Sequence, residues 1–182
     1  MAEPSSFCLD LMAGPGPGAE SPISEQARSS HHLVAHALPD AKAARRARRI
    51  VREVLRDAGV DEAAVGDAEL AVGELAANAV SHAEGPYEIR FVVAGGRPVW
   101  CEVIDSDSDL VGIPEVFAKL HQDVTPECPA HADEMPQESG HGLAIVHRLA
   151  GGRCRAYPTI ICATGRPGKA VAFALPAGGA SF

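Results

Sequence analysis

Two strand patterns joined by a tight turn constrain the fold most strongly. Residues 87–93 (YEIRFVV) and 99–105 (VWCEVID) are rich in β-branched and aromatic residues, and the pair Gly95-Gly96 between them is typical of a hairpin turn. Pro98 falls near the start of the second strand, where a missing N–H is tolerated. A turn this short joins antiparallel neighbours, because parallel strands need a crossover of a dozen residues or more. This part of the chain therefore predicts an antiparallel pair.

The remaining elements follow from hydrophobic periodicity and from capping and turn residues. The predicted helices cover 41–58, 61–83, a short segment after Pro114 and 142–150, and the other predicted strands cover 31–38, 153–164 and 170–175. Hairpin-length turns, not helical crossovers, join most strand neighbours. We therefore expect an α+β fold, a two-layer sandwich with a mixed, mostly antiparallel sheet and helices on one face.

Composition indicates one domain with tails. The chain has 182 residues, a formal net charge of −8 and 46% hydrophobic residues, enough to bury a core. Segment 1–30 is rich in Gly, Pro and Ser and is expected to be a flexible tail; the domain would cover 31–176, with a loop at about 107–139 and a C-terminal tail at 177–182.

Two patterns that would place the protein at a membrane or in an oxidising compartment are missing. The sequence lacks a run of about 18 apolar residues and a basic, then apolar, secretory start. Five cysteines with no C-x-x-C spacing favour reduced thiols over a zinc ribbon or a disulfide framework. We therefore expect a cytoplasmic protein.

Arginines are dense in the first predicted helix. Its cations include Arg45, Arg48, Arg52 and Arg56, beside a thin apolar stripe. A solvated face with local salt bridges is one interpretation, and docking on an acidic protein partner is another. A nucleic-acid patch is disfavoured, because the protein is acidic and the helix has no interleaved aromatic residues.

Three short segments carry polar and glycine residues of chemical interest. They are ELAANAVSHA (74–83), VIDSDSD (103–109) and ESGHGLAIV (138–146). Each segment alone is weak evidence of function. In this order, however, the three segments resemble the ATP-binding domain shared by gyrase, bacterial histidine kinases, mismatch-repair ATPases and the heat-shock chaperone ATPase (the Bergerat fold). Within it, the chain most resembles the stand-alone anti-sigma-factor serine kinases of actinobacteria. The resemblance covers roughly 31–176.

The resemblance implies roles for individual residues. Glu74 would be the catalytic base, and Asn78 would hold Mg²⁺, an ion that prefers oxygen ligands. Asp105 would accept a hydrogen bond from the amine of adenine. Gly140 and Gly142 would let backbone amides approach the phosphates at the start of a helix. Further nucleotide contacts would come from His82, His141 and Leu143. The implied cofactors are ATP and Mg²⁺.

The implied function is transfer of phosphate from ATP to a serine of an antagonist protein. The partners would be a sigma factor, that antagonist, or both, and the resemblance also implies a homodimer, with no contact to nucleic acid or membrane. The alternative is a catalytically silent module that sequesters a protein partner. It is motivated by Asp105-Ser106-Asp107-Ser108-Asp109, which replaces the D-x-G-x-G typical of the group, and by the acidic loop that follows. A histidine-kinase fragment ranks below both, because no long helix with a phosphoacceptor histidine precedes the domain.

Overall fold

Six strands form one sheet in the computed structural model of the protein. The structure describes residues 7–10, 31–110, 112–122 and 141–176, and for 7–10 only the backbone. The strands are β1 (Phe7–Asp10), β2 (His31–Leu38), β3 (Tyr87–Ala94), β4 (Arg97–Asp105), β5 (Cys154–Ile160) and β6 (Pro167–Ala174). Their order across the sheet is β1-β2-β3-β4-β6-β5, and every described neighbour pair is antiparallel. The predicted α+β class is confirmed.

Within the described ranges, four α-helices pack on one face of this sheet through a shared apolar core, and a 3-10 turn at Asp40–Lys42 precedes the first of them. They are α1 (Ala43–Asp57), α2 (Glu62–His82), α3 (Ile113–Gln122) and α4 (His141–Leu149). The apolar stripe of α2 lies buried against alternate residues of the central strands, Ile89, Phe91 and Val103. This alternation follows from the strand period of two, which sends successive side chains to opposite faces. Among the described residues, no helix is both long enough and apolar enough to cross a membrane.

Arginines of α1 pair with glutamates beside them. Arg52 donates to both carboxylate oxygens of Glu69 on α2, at 2.6 and 2.5 Å, and Arg56 does the same to Glu62 at 2.8 and 2.7 Å. Such bidentate pairs fix orientation as well as charge. The salt-bridge interpretation is therefore confirmed for Arg52 and Arg56, and the pairs help to align α1 along α2.

The turns that separate elements are built on glycines with positive φ. Gly59 (φ 72°) follows Ala58, the residue that caps the C-terminus of α1, and its N–H donates to the carbonyl of Arg56. Gly95 and Gly96 (φ 58° and 78°) make the hairpin between β3 and β4. Two consecutive positive φ angles define the turn whose twist matches that of the flanking strands. The hairpin predicted from the Gly-Gly pair is thus present.

The face of the sheet opposite the helices carries a small second core. Ile104, Ala170 and Ile161 are fully buried there, with Tyr157 against them. Ile161 begins the segment between β5 and β6, so this segment folds back over the sheet. Its backbone N–H groups at Cys162 and Ala163 donate to the carboxylate of Glu88 on β3 at 3.1 and 2.7 Å.

The structure adds one strand that the sequence did not predict. β1 pairs with β2, with Phe7 opposite Ala35 and Asp10 opposite His32. The predicted flexible tail at 1–30 is therefore wrong for residues 7–10, because the backbone of β2 offers a free edge to pair with. The rest of that tail, residues 123–139 of the predicted loop (107–139) and the C-terminal tail lie outside the described residues.

Candidate functional site

Three polar residues of α2 occupy one side of the helix. Asp61 caps the N-terminus, where its carboxylate accepts from the N–H of Ala64 at 3.0 Å. Further along α2, a polar residue recurs every four positions, at Glu74, Asn78 and His82. This spacing places the three side chains next to one another on the same side of the helix. Glu74 and Asn78 are half-buried and His82 is exposed.

The first turn of α4 lies directly against two of these side chains. A Cβ atom added at Gly142 would stand 3.1 Å from Asn78 Nδ2 and 3.2 Å from Glu74 Oε2. Only glycine leaves both side chains undisturbed at this approach. The N-terminus of a helix presents unpaired N–H groups and a partial positive charge. The Glu74–Asn78 pair therefore lies beside backbone suited to an anion.

The opposite end of the site is formed by the tips of β4 and β6. Asp105 ends β4 and pairs in register with Lys169 of β6. At Gly168, the residue before Lys169, a Cβ atom would stand 2.2 Å from the carbonyl oxygen of Asp105. Glycine at 168 therefore allows the two strands to approach closely at this point.

Lys169 bridges two carboxylates at these strand tips. Its Nζ lies 3.2 Å from Asp105 Oδ1 and 2.8 Å from Asp107 Oδ2, and Asp105 Oδ1 also accepts from the N–H of Asp107 at 3.0 Å. Burial raises the pKa of Asp105, and the charge of Lys169 offsets only part of that effect. The hydrogen bond from Lys169 lowers the pKa of Asp107. Burial alone would lower the pKa of Lys169, but its bonds to the two carboxylates outweigh burial and raise it.

A cavity of about 310 Å³ connects the helix side to the strand tips. This volume is at the lower end of the roughly 300–1,000 Å³ typical of small-molecule sites. Its apolar walls come from Leu75, Ala79, Val103, Ile113, Leu143 and Val171, and its polar groups from Asn78, His82, Asp105, Asp107, Asp109 and Lys169. An apolar slot with polar groups at its two ends suits a flat ring with a charged substituent.

Comparison with known families matches residues 37–152 to the model of the histidine kinase-like ATPase domain. The chain belongs to this family. The matched segment includes Glu74, Asn78, Asp105 and Gly142 and ends before β5. A search of curated proteins found no match. The superfamily named from the sequence is confirmed, and it supports an ATP-binding regulatory function; the narrower anti-sigma-factor kinase group stays a prediction.

Most of the site residues predicted for this ATPase domain converge. Asn78, His82, Asp105 and Leu143 line the cavity, and Glu74 joins them through its position beside Gly142. His141 begins α4 and is exposed, and it is not among the residues that line the cavity. Gly140 lies outside the described residues. The roles assigned to these residues stay predictions.

Sequence reasoning missed Lys169 and Asp107 as members of the site. Lys169 lies directly before the predicted strand 170–175, and Asp107 stands in the sequence where the resembled group has a glycine. A signal was present, because alternation along β6 places Lys169 on the same face as Val171 and Phe173 of the main core. A lysine on a strand face that is otherwise apolar indicates a charged partner.

Proposed function

We propose that the protein binds Mg²⁺-ATP in this cavity and transfers the terminal phosphate to a serine of a protein antagonist, as an anti-sigma-type regulator. The observation that supports it most is the contact geometry of Gly142, which brings the start of α4 against both Glu74 and Asn78. Phosphoryl transfer requires mainly positioning and neutralisation of charge, so a small set of residues suffices.

Each end of the cavity has a separate task in this proposal. The amide oxygen of Asn78 holds Mg²⁺, and the N–H groups at the start of α4 receive phosphate oxygens. The bound Mg²⁺-ATP supplies the phosphoryl group and the metal charge that neutralises it. At the other end, Asp105 accepts a hydrogen bond from the amine of the base, and Leu75, Val103 and Val171 contact its faces.

Glu74 acts on the acceptor serine. Its carboxylate would accept the proton of the serine hydroxyl as the serine oxygen attacks the terminal phosphorus of ATP and ADP leaves, which requires a position within hydrogen-bond distance of that hydroxyl. Its half-buried position beside Gly142, near the start of α4, agrees with this role. The sigma factor and the antagonist are the partners proposed, and the homodimer is a proposal of the same kind.

Calorimetric titration with Mg²⁺-ATP tests binding first. We expect saturable binding by the wild type, and at least tenfold weaker binding by Asn78→Ala and by Asp105→Ala, since each loses a charged or metal-mediated contact. Glu62→Gln is the matched control, because Glu62 is an exposed carboxylate of the same helix whose partner is Arg56. Wild-type protein that gives no binding heat at millimolar Mg²⁺-ATP would refute the proposal.

Labelled ATP mixed with the purified antagonist tests phosphoryl transfer. Glu74→Gln should retain Mg²⁺-ATP binding and lose transfer by a factor of about 100 or more, the usual contribution of a general base. Glu62→Gln should transfer phosphate at the wild-type rate. Equal rates for Glu74→Gln and the wild type would refute the proposed role of Glu74. Absence of label on the antagonist in every sample would refute the proposed kinase activity.

A second candidate is the silent binding module. The observation that favours it is the engagement of Asp105 Oδ1 by Lys169 and by the N–H of Asp107, since a carboxylate that already has partners accepts less readily from a base. Tight partner binding together with no ATP heat would support this candidate against the kinase.

A further inference from the structure

Lys169 lies at the edge of the cavity and contacts two carboxylates there. Its side chain is 8% exposed and lines the cavity, and its ammonium contacts Asp105 and Asp107. An ammonium group has three donors. The two carboxylates use two of them, which leaves one for a molecule inside the cavity.

Asp105 engages only one of its two carboxylate oxygens in these contacts. Its Oδ1 accepts from Lys169 and from the N–H of Asp107, and Oδ2 takes part in neither contact. The strand tips of β4 and β6 therefore present one acceptor and one donor side by side, because Asp105 and Lys169 are directly paired across the strands.

We infer that Lys169 is a specificity-determining residue that donates a hydrogen bond to N1 of a bound adenine, next to the bond that Asp105 accepts from the adenine amine. This inference rests on the proposed function, since it needs ATP in the cavity. The base edge of adenine offers one donor, the exocyclic amine, and one acceptor, N1, in adjacent positions. One carboxylate oxygen and one ammonium proton satisfy both.

Guanine matches the same pair less well. Its edge offers one acceptor, O6, and donors on both N1 and the 2-amino group. Asp105 Oδ2 and Lys169 would satisfy one donor and the acceptor. Asp105 Oδ1 and Asp107 Oδ2 are already engaged by Lys169, so the second guanine donor would compete for an engaged oxygen or stay unpaired. Leaving a buried polar group unsatisfied is more unfavourable than the gain from a typical hydrogen bond.

The surrounding charges keep Lys169 able to donate. Two carboxylates face one ammonium, and their bonds to it raise the pKa of Lys169, so the side chain stays protonated at neutral pH. Asp107 also holds the ammonium in place at 2.8 Å. The donor is therefore positioned before the base arrives, which reduces the entropy lost on binding.

Analogues of ATP test the inference on the unaltered full chain. In 1-deaza-ATP a C–H group replaces N1, and in 7-deaza-ATP the same change is made at the other side of the base. By calorimetry with Mg²⁺ present, we expect 1-deaza-ATP to bind about tenfold more weakly than ATP, and 7-deaza-ATP to bind within about threefold of it, as expected for loss of one charge-assisted hydrogen bond. GTP should bind at least tenfold more weakly than ATP. Equal binding of ATP and 1-deaza-ATP would overturn the inference while leaving the proposed function intact.

Substitution of the lysine gives an independent test. Lys169→Met should bind ATP about tenfold more weakly and should no longer distinguish ATP from 1-deaza-ATP. Lys119→Met, at an exposed lysine of α3 that is not among the residues lining the cavity, is the matched control and should behave as the wild type. Tighter ATP binding by Lys169→Met would overturn the inference and identify the lysine as a block on Asp105. No ATP binding by the wild type would overturn both the inference and the proposed function.

Discussion

Replacing Arg90 with methionine removes one half of a buried ion pair on β3. The side chains of Glu88 and Arg90 are 2% and 4% exposed, and the guanidinium donates to Glu88 Oε2 at 3.0 and 3.2 Å. It also donates to Thr159 Oγ1 at 3.1 Å and to the carbonyl of Ile160. The pair thus ties β3 to the end of β5 and the segment that folds back over the sheet.

The size of the expected loss of stability depends on the hydrogen bonds that Glu88 keeps after Arg90 is replaced. Removing one partner of a buried ion pair destabilises a protein by about 3–5 kcal/mol, because an uncompensated charge stays buried. Glu88 still accepts from the N–H groups of Cys162 and Ala163, so we expect a loss near the lower end, about 3 kcal/mol. Against a typical unfolding free energy of about 5–15 kcal/mol, this is a large fraction.

Unfolding in guanidinium chloride, followed by circular dichroism, measures the change in the free energy of unfolding. The double variant Glu88→Gln/Arg90→Met removes the buried charge, and the amide oxygen still accepts from one of the two turn N–H groups that bond to the two oxygens of Glu88, so it should recover part of the loss. Arg49→Met is the control, since Arg49 and Glu53 form an exposed pair that contributes less than about 1 kcal/mol. An Arg90→Met protein within about 1 kcal/mol of the wild type, or a double variant less stable than the single one, would refute this reasoning.

Three further results are expected. Gly66→Ala should stabilise the protein by about 0.5–1 kcal/mol in the same unfolding assay, because the position is inside α2 and a Cβ atom meets nothing within 4 Å. Gly168→Ala should destabilise it by about 2 kcal/mol or more and weaken ATP binding, since the Cβ atom would stand 2.2 Å from Asp105 O. Burial, and then the neighbouring His121, lower the pKa of His147; the unfolded chain therefore takes up a proton first, and stability should fall as pH drops below about 6.5. In melting temperatures measured over a pH series, His147→Gln should reduce the fall in stability below about pH 6.5. An unchanged slope would contradict the attribution of this fall to His147.

Local patterns predicted most of the elements. The stripe of Val65, Val72 and Leu75 on α2 is buried as its helical spacing requires, and the turn at Gly95-Gly96 joins the predicted strands. Both depend on residues close in sequence, where period and turn chemistry decide the outcome.

Features that depend on pairing between distant segments were not predictable in this way. The position of β6 between β4 and β5, and the pairing of β1 with the edge of β2, involve strands whose own sequences do not specify their neighbours. Lys169 was missed for this reason, since its place in the site follows from register with Asp105 and not from any nearby motif. Glu74 and Asn78 of α2, by contrast, were singled out from the sequence by the resemblance to a known domain, and their roles stay predictions.

The insertion of β6 beside β4 has a consequence for how the chain matures on the ribosome. Lys169 and Asp107 are 62 positions apart, and β6 emerges after every other described element. Synthesis proceeds from the N-terminus at about 5–20 residues per second. The chain therefore emerges with α1, α2 and the β3–β4 hairpin before β6 is made, and during that time the edge of β4 that pairs with β6 is unpaired. An unpaired edge is a template for pairing with other chains. A nascent chain stalled before β6 therefore lacks Lys169 and Val171 of the cavity lining and presents a surface that favours aggregation.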